Sequence, residues 1–286
     1  MVDLDKVNKI YFIGIGGIGI SAVAAIMHNR SFLVEGSDAA ETEIVDDLRS
    51  HQILVHVPHN ASYISNDIDL VVYSVAVPLD NSELLRAEKL GIPTLTYPQF
   101  LGLLVDKKYG LAVSGTDGKT TTTAMLAKIL IDANFDPTVV LGSKADFLED
   151  NWRLGDSKYL VFEADEYRRA FDNYLPQLAV VTNIGLDHLD YYKDQADYVG
   201  AFKDYFKKIS KDGWAVINND DENSIEAGLK CQAKVITFAL KNQADYRAEI
   251  KSISDGYQVF QVWEKGTKVG EFKLGWPGEY NVYNAL

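Results

Sequence analysis

An α/β fold built as two successive nucleotide-type units is predicted by three features of the chain. The first is a short apolar strand, Lys9–Ile13, that runs into Gly14-Ile15-Gly16-Gly17-Ile18-Gly19 and then into a helical stretch over residues 21–28. The second is another apolar strand, over residues 109–113, followed by Ser114-Gly115-Thr116-Asp117-Gly118-Lys119-Thr120-Thr121 and a helix to about Asp132. The third is a trio of alternating runs over residues 246–274, the pattern of antiparallel strands. A strand, a glycine turn and a helix in series set backbone N–H groups and a helix N-terminus against phosphate. The expected architecture is an N-terminal Rossmann-like parallel-sheet domain over residues 1–106. A central P-loop-type α/β ATPase domain over residues 107–286, with an antiparallel extension, completes it. The 286 residues suffice for two domains.

In the first unit Gly14, Gly16, Gly17 and Gly19 permit a tight turn and let a helix N-terminus approach a pyrophosphate. The next strand, residues 32–35, leads into Gly36-Ser37-Asp38, which places Asp38 where an acid reaches a ribose hydroxyl. GxGxxG alone is a weak signal, and a glycine turn that only packs helix on strand competes with the binding reading. Alternation continues with a helix at Glu43–Ser50, a strand at 53–57, a strand at Leu70–Tyr73, a helix at Ser82–Leu90 and a strand at Thr94–Thr96. The unit ends near Leu104, and residues 105–108 read as a linker. His59 and Ser74 follow strand ends, where open α/β sheets bind ligands, although a loop histidine is as often only solvated.

The second loop departs from the general phosphate-binding pattern, because Val113 stands where its first glycine belongs. Its working parts are present. Gly115 and Gly118 let the backbone curl toward phosphate, Lys119 supplies a point charge, and the Thr120 hydroxyl suits Mg²⁺. Two further strands, 158–162 and 178–182, end in Glu163-Ala164-Asp165-Glu166 and in Asn183-Ile184-Gly185-Leu186-Asp187-His188. Both ends are expected on the same sheet edge as the loop. Carboxylate, hydroxyl and phosphate oxygens suit Mg²⁺, and the histidine suits a second, less typical metal position. A solvated acidic turn is the competing reading for Glu163, Asp165 and Glu166, and a capping or surface role for His188.

Composition excludes several classes. The chain is 47% hydrophobic and 24% charged, as expected of a protein with a full core, and its net charge is −13. That charge argues against general affinity for nucleic acid or anionic membrane, both of which need a basic face. The single cysteine, Cys231, has no internal disulfide partner, which fits a reducing compartment. The apolar segment 10–27 lacks the basic leader of a signal peptide, since the nine residues ending at Lys9 hold two acids against two lysines. No segment is long and apolar enough for a membrane span, and the chain reads as soluble and cytoplasmic.

Taken in order, the Gly14–Gly19 turn, GTDGKTTTTAM, FEADEYRRAF, VVTNIGLDHLDYY and the closing Gly278-Glu279-Tyr280-Asn281-Val282-Tyr283-Asn284 resemble the Mur ligases across essentially the whole chain. GIGGIGISAVA, VEGSD and YSVAVPLDNSELLRA are most similar to the branch that joins L-alanine to UDP-N-acetylmuramate. The resemblance implies an ATP- and Mg²⁺-dependent amide ligase of peptidoglycan synthesis. It would move the ATP γ-phosphate to the lactyl carboxylate and let the alanine amine attack the acyl phosphate. On the matching positions, Lys119, Glu163 and His188 would be catalytic, and Thr120, Glu163 and His188 would hold metal. Gly115, Thr116, Asp117, Gly118, Lys119, Thr120, Thr121, Asn281 and Asn284 would bind ATP. Gly14, Gly16, Gly17, Gly19, Ser37, Asp38, His59 and Ser74 would line the UDP-sugar site.

Four departures stand out. Asp117 replaces the usual histidine or asparagine, and Tyr280 replaces a histidine while keeping a ring able to stack on adenine. Sister ligases carry a carbamylated lysine; Lys203, Lys207 and Lys208 lie in that region, and no motif singles one out. The family's third domain follows the Asn281–Asn284 motif, whereas this sequence stops at Leu286. The expectation is a chain that binds the UDP-sugar but ligates alanine poorly or not at all. Rival readings are a ligase that reattaches a recycled tripeptide to the same UDP-sugar, a non-catalytic UDP-sugar or ATP sensor, and a nicotinamide-dependent oxidoreductase using only the first glycine turn.

Overall fold

A computed structural model describes residues 2–286. From the N-terminus β1 (Lys9–Ile13), α1 (Ile18–Asn29), β2 (Leu33–Ser37), α2 (Glu43–Ser50) and β3 (Leu54–His56) alternate. They are followed by β4 (Leu70–Tyr73), α3 (Ser82–Leu90), β5 (Thr94–Thr96) and α4 (Tyr97–Asp106). Next come β6 (Tyr109–Ser114), α5 (Lys119–Asp132), β7 (Thr138–Ala145), β8 (Asp150–Arg153), β9 (Tyr159–Glu163) and β10 (Leu178–Val181). The chain continues through α6 (Gln195–Phe206), β11 (Trp214–Asn218), α7 (Glu222–Gly228) and β12 (Lys234–Ala239). It closes with β13 (Tyr246–Ser254), β14 (Tyr257–Glu264), β15 (Thr267–Leu274) and α8 (Glu279–Ala285). Contacts divide these elements into two units: residues up to Leu104 with Thr138–Asp156, and Val105–Pro137 with Ser157–Leu286.

The first unit holds a five-stranded sheet in the order β3-β2-β1-β4-β5, with every pairing parallel. Strand order reverses at β1, and the crevice beyond such a reversal is where open α/β sheets take ligands. Ile10, Tyr11, Phe12 and Ile13 of β1 are fully buried, as a central parallel strand covered on both faces requires. Capping fixes the flanking helices: the Thr42 hydroxyl accepts from Val45 N at the start of α2, and Asn81 accepts from Glu83 N and Leu84 N at the start of α3. Helix α1 is apolar almost all round, with residues 20–27 buried. The β7–β8 hairpin accounts for this, because it packs on α1 and Asn151 Nδ2 donates to Ile18 O at 2.6 Å. The sequence pattern assigned residues 138–156 to the later half of the chain, whereas their contacts lie here.

The expected linker at 105–108 begins inside a helix. Helix α4 runs to Asp106, and its Phe100, Leu101 and Val105 are fully buried, with Phe100 set edge-on to Phe12 at 6.1 Å. Only Gln99 and Asp106 of this short helix are exposed, so few polar positions mark its solvent face for a reading based on periodicity.

In the second unit, strands run in the order β15-β14-β13-β12-β11-β10-β6-β9. Pairings from β9 through β13 are parallel, and β13, β14 and β15 pair antiparallel with a register shift in each ladder. The alternation over residues 246–274 thus forms three strands that extend the sheet. The central position of β6, between β9 and β10, puts the carboxyl ends of all three on one edge. Behind them Phe171 stacks on Tyr205 at 4.6 Å and meets Phe202 edge-on, a buried aromatic cluster that ties α6 to the segment after β9.

Candidate functional site

The loop between β6 and α5 is shaped by glycines that nothing else can replace. Gly115 has φ +128° and Gly118 φ +81°, backbone states that other L-residues avoid. A Cβ on Gly118 would lie 2.3 Å from Asn284 Oδ1, and one on Gly115 would meet the Thr182 hydroxyl. Gly118 opens α5 with no side-chain cap. By contrast α2, α3, α6 and α7 are capped by Thr42, Asn81, Asp194 and Asp221. An uncapped helix start aims N–H groups and the positive end of the helix dipole outward, which favours an anion.

Neighbouring strands brace the loop. Asn183 accepts from Asp117 N at 3.2 Å and donates to Asp117 O at 3.0 Å, while the Thr182 hydroxyl donates to the same carbonyl at 2.6 Å. The Thr116 hydroxyl donates to Gly185 O at 2.7 Å and lies 2.9 Å from the Tyr198 hydroxyl. Asp117 is thus held through its main chain, and its side chain stands exposed on the wall of a cleft.

The charged residues fall into two contacts. Thr120 Oγ1 donates to Glu163 Oε2 at 3.0 Å, which pairs a hydroxyl and a carboxylate as hard oxygen donors suited to Mg²⁺. Lys119 Nζ donates to Gly115 O at 2.7 Å, to Thr116 O at 3.2 Å and to Glu166 Oε1 at 3.0 Å. His188 Nε2 lies 3.3 Å from that same Glu166 oxygen. Asp165, Glu166 and His188 bring ligand-type atoms within 4.8 Å of one another. Glu166 is fully buried, so the solvated-turn reading fails for it, while Asp165 is exposed. Burial pushes the Glu166 carboxyl upward against the pull of the Lys119 ammonium.

A cleft of about 530 Å³ opens beside the loop, lined by Asp117, Gly118, Thr121, Asn183, Tyr280 and Asn284 among others. Tyr280 is 67% exposed, which leaves its ring available to a planar ligand. Asn284 faces the cleft, whereas Asn281 is buried, donates to Pro277 O at 3.0 Å and accepts from Asn284 Nδ2 at 3.4 Å. Asn281 therefore steadies Asn284 from behind. Gln258 of β14 donates to Trp276 O and Gly278 O, and so fixes the entry to α8. Lys203 and Lys207, named above as carbamylation candidates, sit in ion pairs with Glu226 and Asp204.

In the first unit the glycine turn is closed by Asp38, whose carboxylate accepts from Gly16 N at 2.8 Å and from Ala39 N at 2.7 Å. Gly14 and Gly17 pack beside Ser74, and a Cβ on Gly19 would strike the Tyr97 hydroxyl at 2.7 Å, a requirement of helix packing. Ser37 is fully buried: its hydroxyl donates to Glu83 Oε2 at 2.5 Å and lies 2.8 Å from His59 Nδ1. Glu83, also fully buried, accepts from the Tyr11 hydroxyl at 3.2 Å and from Asn60 N at 3.0 Å, and lies 3.1 Å from His59. Glu83 escaped the sequence reading because it sits in an otherwise polar helix turn. The only cue was its place two residues after the Asn81 cap.

A parallel sheet edge carrying an uncapped helix start, a lysine held by loop carbonyls and Glu166, and hard oxygen donors has the features of an α/β unit of the P-loop type. The chain belongs to the Mur ligase family: residues 113–286 match the Mur ligase middle domain, and residues 9–109 match the family's catalytic domain. It is 38% identical over 99% of its length to a UDP-N-acetylmuramate–L-alanine ligase of Clostridium novyi, and spans 61% of that protein. Among solved structures, the UDP-N-acetylmuramate–alanine ligase of Thermotoga maritima is 36% identical with a TM-score of 0.84 over 96% of this chain and 62% of that one. The UDP-N-acetylmuramate:L-alanyl-γ-D-glutamyl-meso-diaminopimelate ligase of Neisseria meningitides is 26% identical with a TM-score of 0.89, over 98% of this chain and 91% of that one. The chain thus spans about three-fifths of the length of the curated relatives it matches. Among the described residues no helix is long and apolar enough to cross a membrane.

Proposed function

We propose that this chain supplies the UDP-sugar-binding and ATP-binding parts, residues 1–106 and 107–286, of an ATP-dependent ligase of peptidoglycan precursor synthesis. The reaction joins L-alanine to UDP-N-acetylmuramate. The observation that carries the reading is the loop Gly115 to Thr121 set beside Thr120–Glu163 and Lys119–Glu166–His188 on one sheet edge. The relatives named for this reaction support it over nearly the whole chain.

The chemistry needs positioning and charge neutralisation more than covalent help from the protein. A lactyl carboxylate oxygen attacks the γ-phosphorus of ATP and ADP leaves. The alanine amine then attacks the acyl carbon of the acyl phosphate, inorganic phosphate departs and the amine proton is lost. Lys119 offsets charge on the transferred phosphoryl oxygens. Thr120 and Glu163 are the oxygen ligands that fit Mg²⁺, with His188 the third donor in the sequence-based assignment; bound there, the metal supplies further neutralisation. Asn284 and Tyr280 present a polar edge and an aromatic face to the adenine. In the first unit His59, held by Ser37 and Glu83, faces the UDP-sugar together with the Gly14–Gly19 turn.

The structure of the tripeptide-type ligase favours one second reading, because it superposes at least as well as that of the alanine ligase. Phosphate release by the product of the complete open reading frame, measured with L-alanine and separately with the tripeptide, decides between them. Alanine-dependent release that is abolished by Lys119→Ala is expected. Turnover driven by tripeptide and not by alanine would replace this reading with the second.

A further inference from the structure

Glu166 is the one fully buried carboxylate of the second unit's site, and it has no role in the proposed reaction as written above. Its Oε1 gathers three groups: the Lys119 ammonium at 3.0 Å, His188 Nε2 at 3.3 Å and the Tyr198 hydroxyl at 3.3 Å. Its other oxygen, Oε2, is buried without a hydrogen-bond partner. The Glu166 backbone is itself pinned, since the Tyr192 hydroxyl donates to its carbonyl. Phe171, five residues on in the same segment, anchors this stretch in the aromatic core through Tyr205 and Phe202.

We propose that Glu166 is a positioning residue that orients both Lys119 and His188 from one buried oxygen, so that the phosphate-binding cation and the imidazole metal donor share a single support. The inference rests on the reading of this loop as an ATP- and Mg²⁺-binding site. Oε1 already accepts from Lys119 and Tyr198, and an unprotonated Nε2 facing this acceptor at 3.3 Å would set two lone pairs against each other, so the ring keeps its proton on Nε2. The lone pair is then on Nδ1, and Nδ1 is the nitrogen offered to a divalent cation. A histidine ligand held through its other ring nitrogen by a carboxylate is a recurrent arrangement in metal sites, where it fixes tautomer and ring orientation. Glu166 Oε1 serves as a support and not as a ligand atom, because a divalent cation on it would stand against the Lys119 ammonium. The Glu163 carboxylate, paired with Thr120, is the separate oxygen donor.

The test reads the imidazole directly. Long-range ¹H–¹⁵N spectra of the 286-residue chain at pH 8, with the His188 signal assigned by its loss in His188→Asn, report which ring nitrogen carries the proton. Protonation on Nε2 is expected in the unsubstituted chain. Glu166→Gln keeps the volume and removes the charge; it is expected to mix the tautomers and to weaken binding of Mn²⁺ alone by about tenfold or more. A His188 protonated on Nδ1, or an Mn²⁺ affinity unchanged in a folded Glu166→Gln chain, would overturn the proposal. Should that variant fail to fold, the tautomer of the unsubstituted chain decides alone. Failure of the ATP reading is distinguishable, because it appears as absence of ATP binding whatever the tautomer.

Discussion

At Gly118 one missing side chain determines both the course of the loop and the space in front of it. The residue sits at φ +81°, and an added methyl group would come within 2.3 Å of Asn284 Oδ1. Gly118→Ala therefore combines backbone strain with displacement of a cleft residue, and strain of this kind costs about 1 to 3 kcal/mol. A fall of that size in unfolding free energy, together with weaker ATP binding, is expected in denaturant titration and calorimetry. An alanine variant of unchanged stability would show that the loop is not held in this form. The glycines of this loop were legible in sequence for this reason, whereas Arg168, Arg169 and His188 take the same left-handed region with no glycine to mark it. Glu166 and Glu83 were not legible either. An acidic side chain gives no sign of its own burial, which is decided by Tyr192 and Tyr198 in one case and by Tyr11, Ser37 and His59 in the other.

Among elements, the best-read were those with local signals of their own. Helices α2, α3 and α5 have the start and end that caps and glycines indicate, and β1, β4 and β5 match their apolar runs. Less legible were α4, in which only Gln99 and Asp106 are exposed, and the β7–β8 hairpin, whose packing on α1 depends on residues more than a hundred positions away. The loop after β12 shows how such distant contacts shape the cleft. Asp220 accepts from Leu240 N, Lys241 N, Asn242 N and the Tyr283 hydroxyl, so one carboxylate joins that loop to α8. Burial alone would raise the Asp220 pKa, but these donors outweigh it and hold it below the ordinary aspartate value. A depressed folded-state pKa stabilises above the unfolded value and is lost as pH falls through the folded one. Asp220→Asn is therefore expected to cost about 1 to 3 kcal/mol near neutral pH, toward the lower figure because the group is partly exposed. The difference from the unsubstituted chain should shrink as pH falls below about 3.9. A gap that stays constant from pH 7 to pH 3 would rule out this role.

For the whole chain, the net charge of −13 fits the proposal that anions bind at the two glycine turns, as local preorganised positions, and not through a general basic surface. Each unit carries its own sheet, its own strand-end site and its own helix start, so the two ligands are expected to bind with separable determinants. The central claim is that the loop from Gly115 to Thr121 grips the ATP triphosphate while the Gly14–Gly19 unit holds the UDP-sugar. Titration calorimetry of Lys119→Ala with ATP·Mg²⁺ and, separately, with UDP-N-acetylmuramate tests it most directly. Loss of a charge-assisted contact worth about 1.5 to 3 kcal/mol predicts ATP binding weakened about ten- to hundredfold, with UDP-N-acetylmuramate affinity unchanged. Equal loss of both ligands, or ATP binding that survives the substitution intact, would contradict the account.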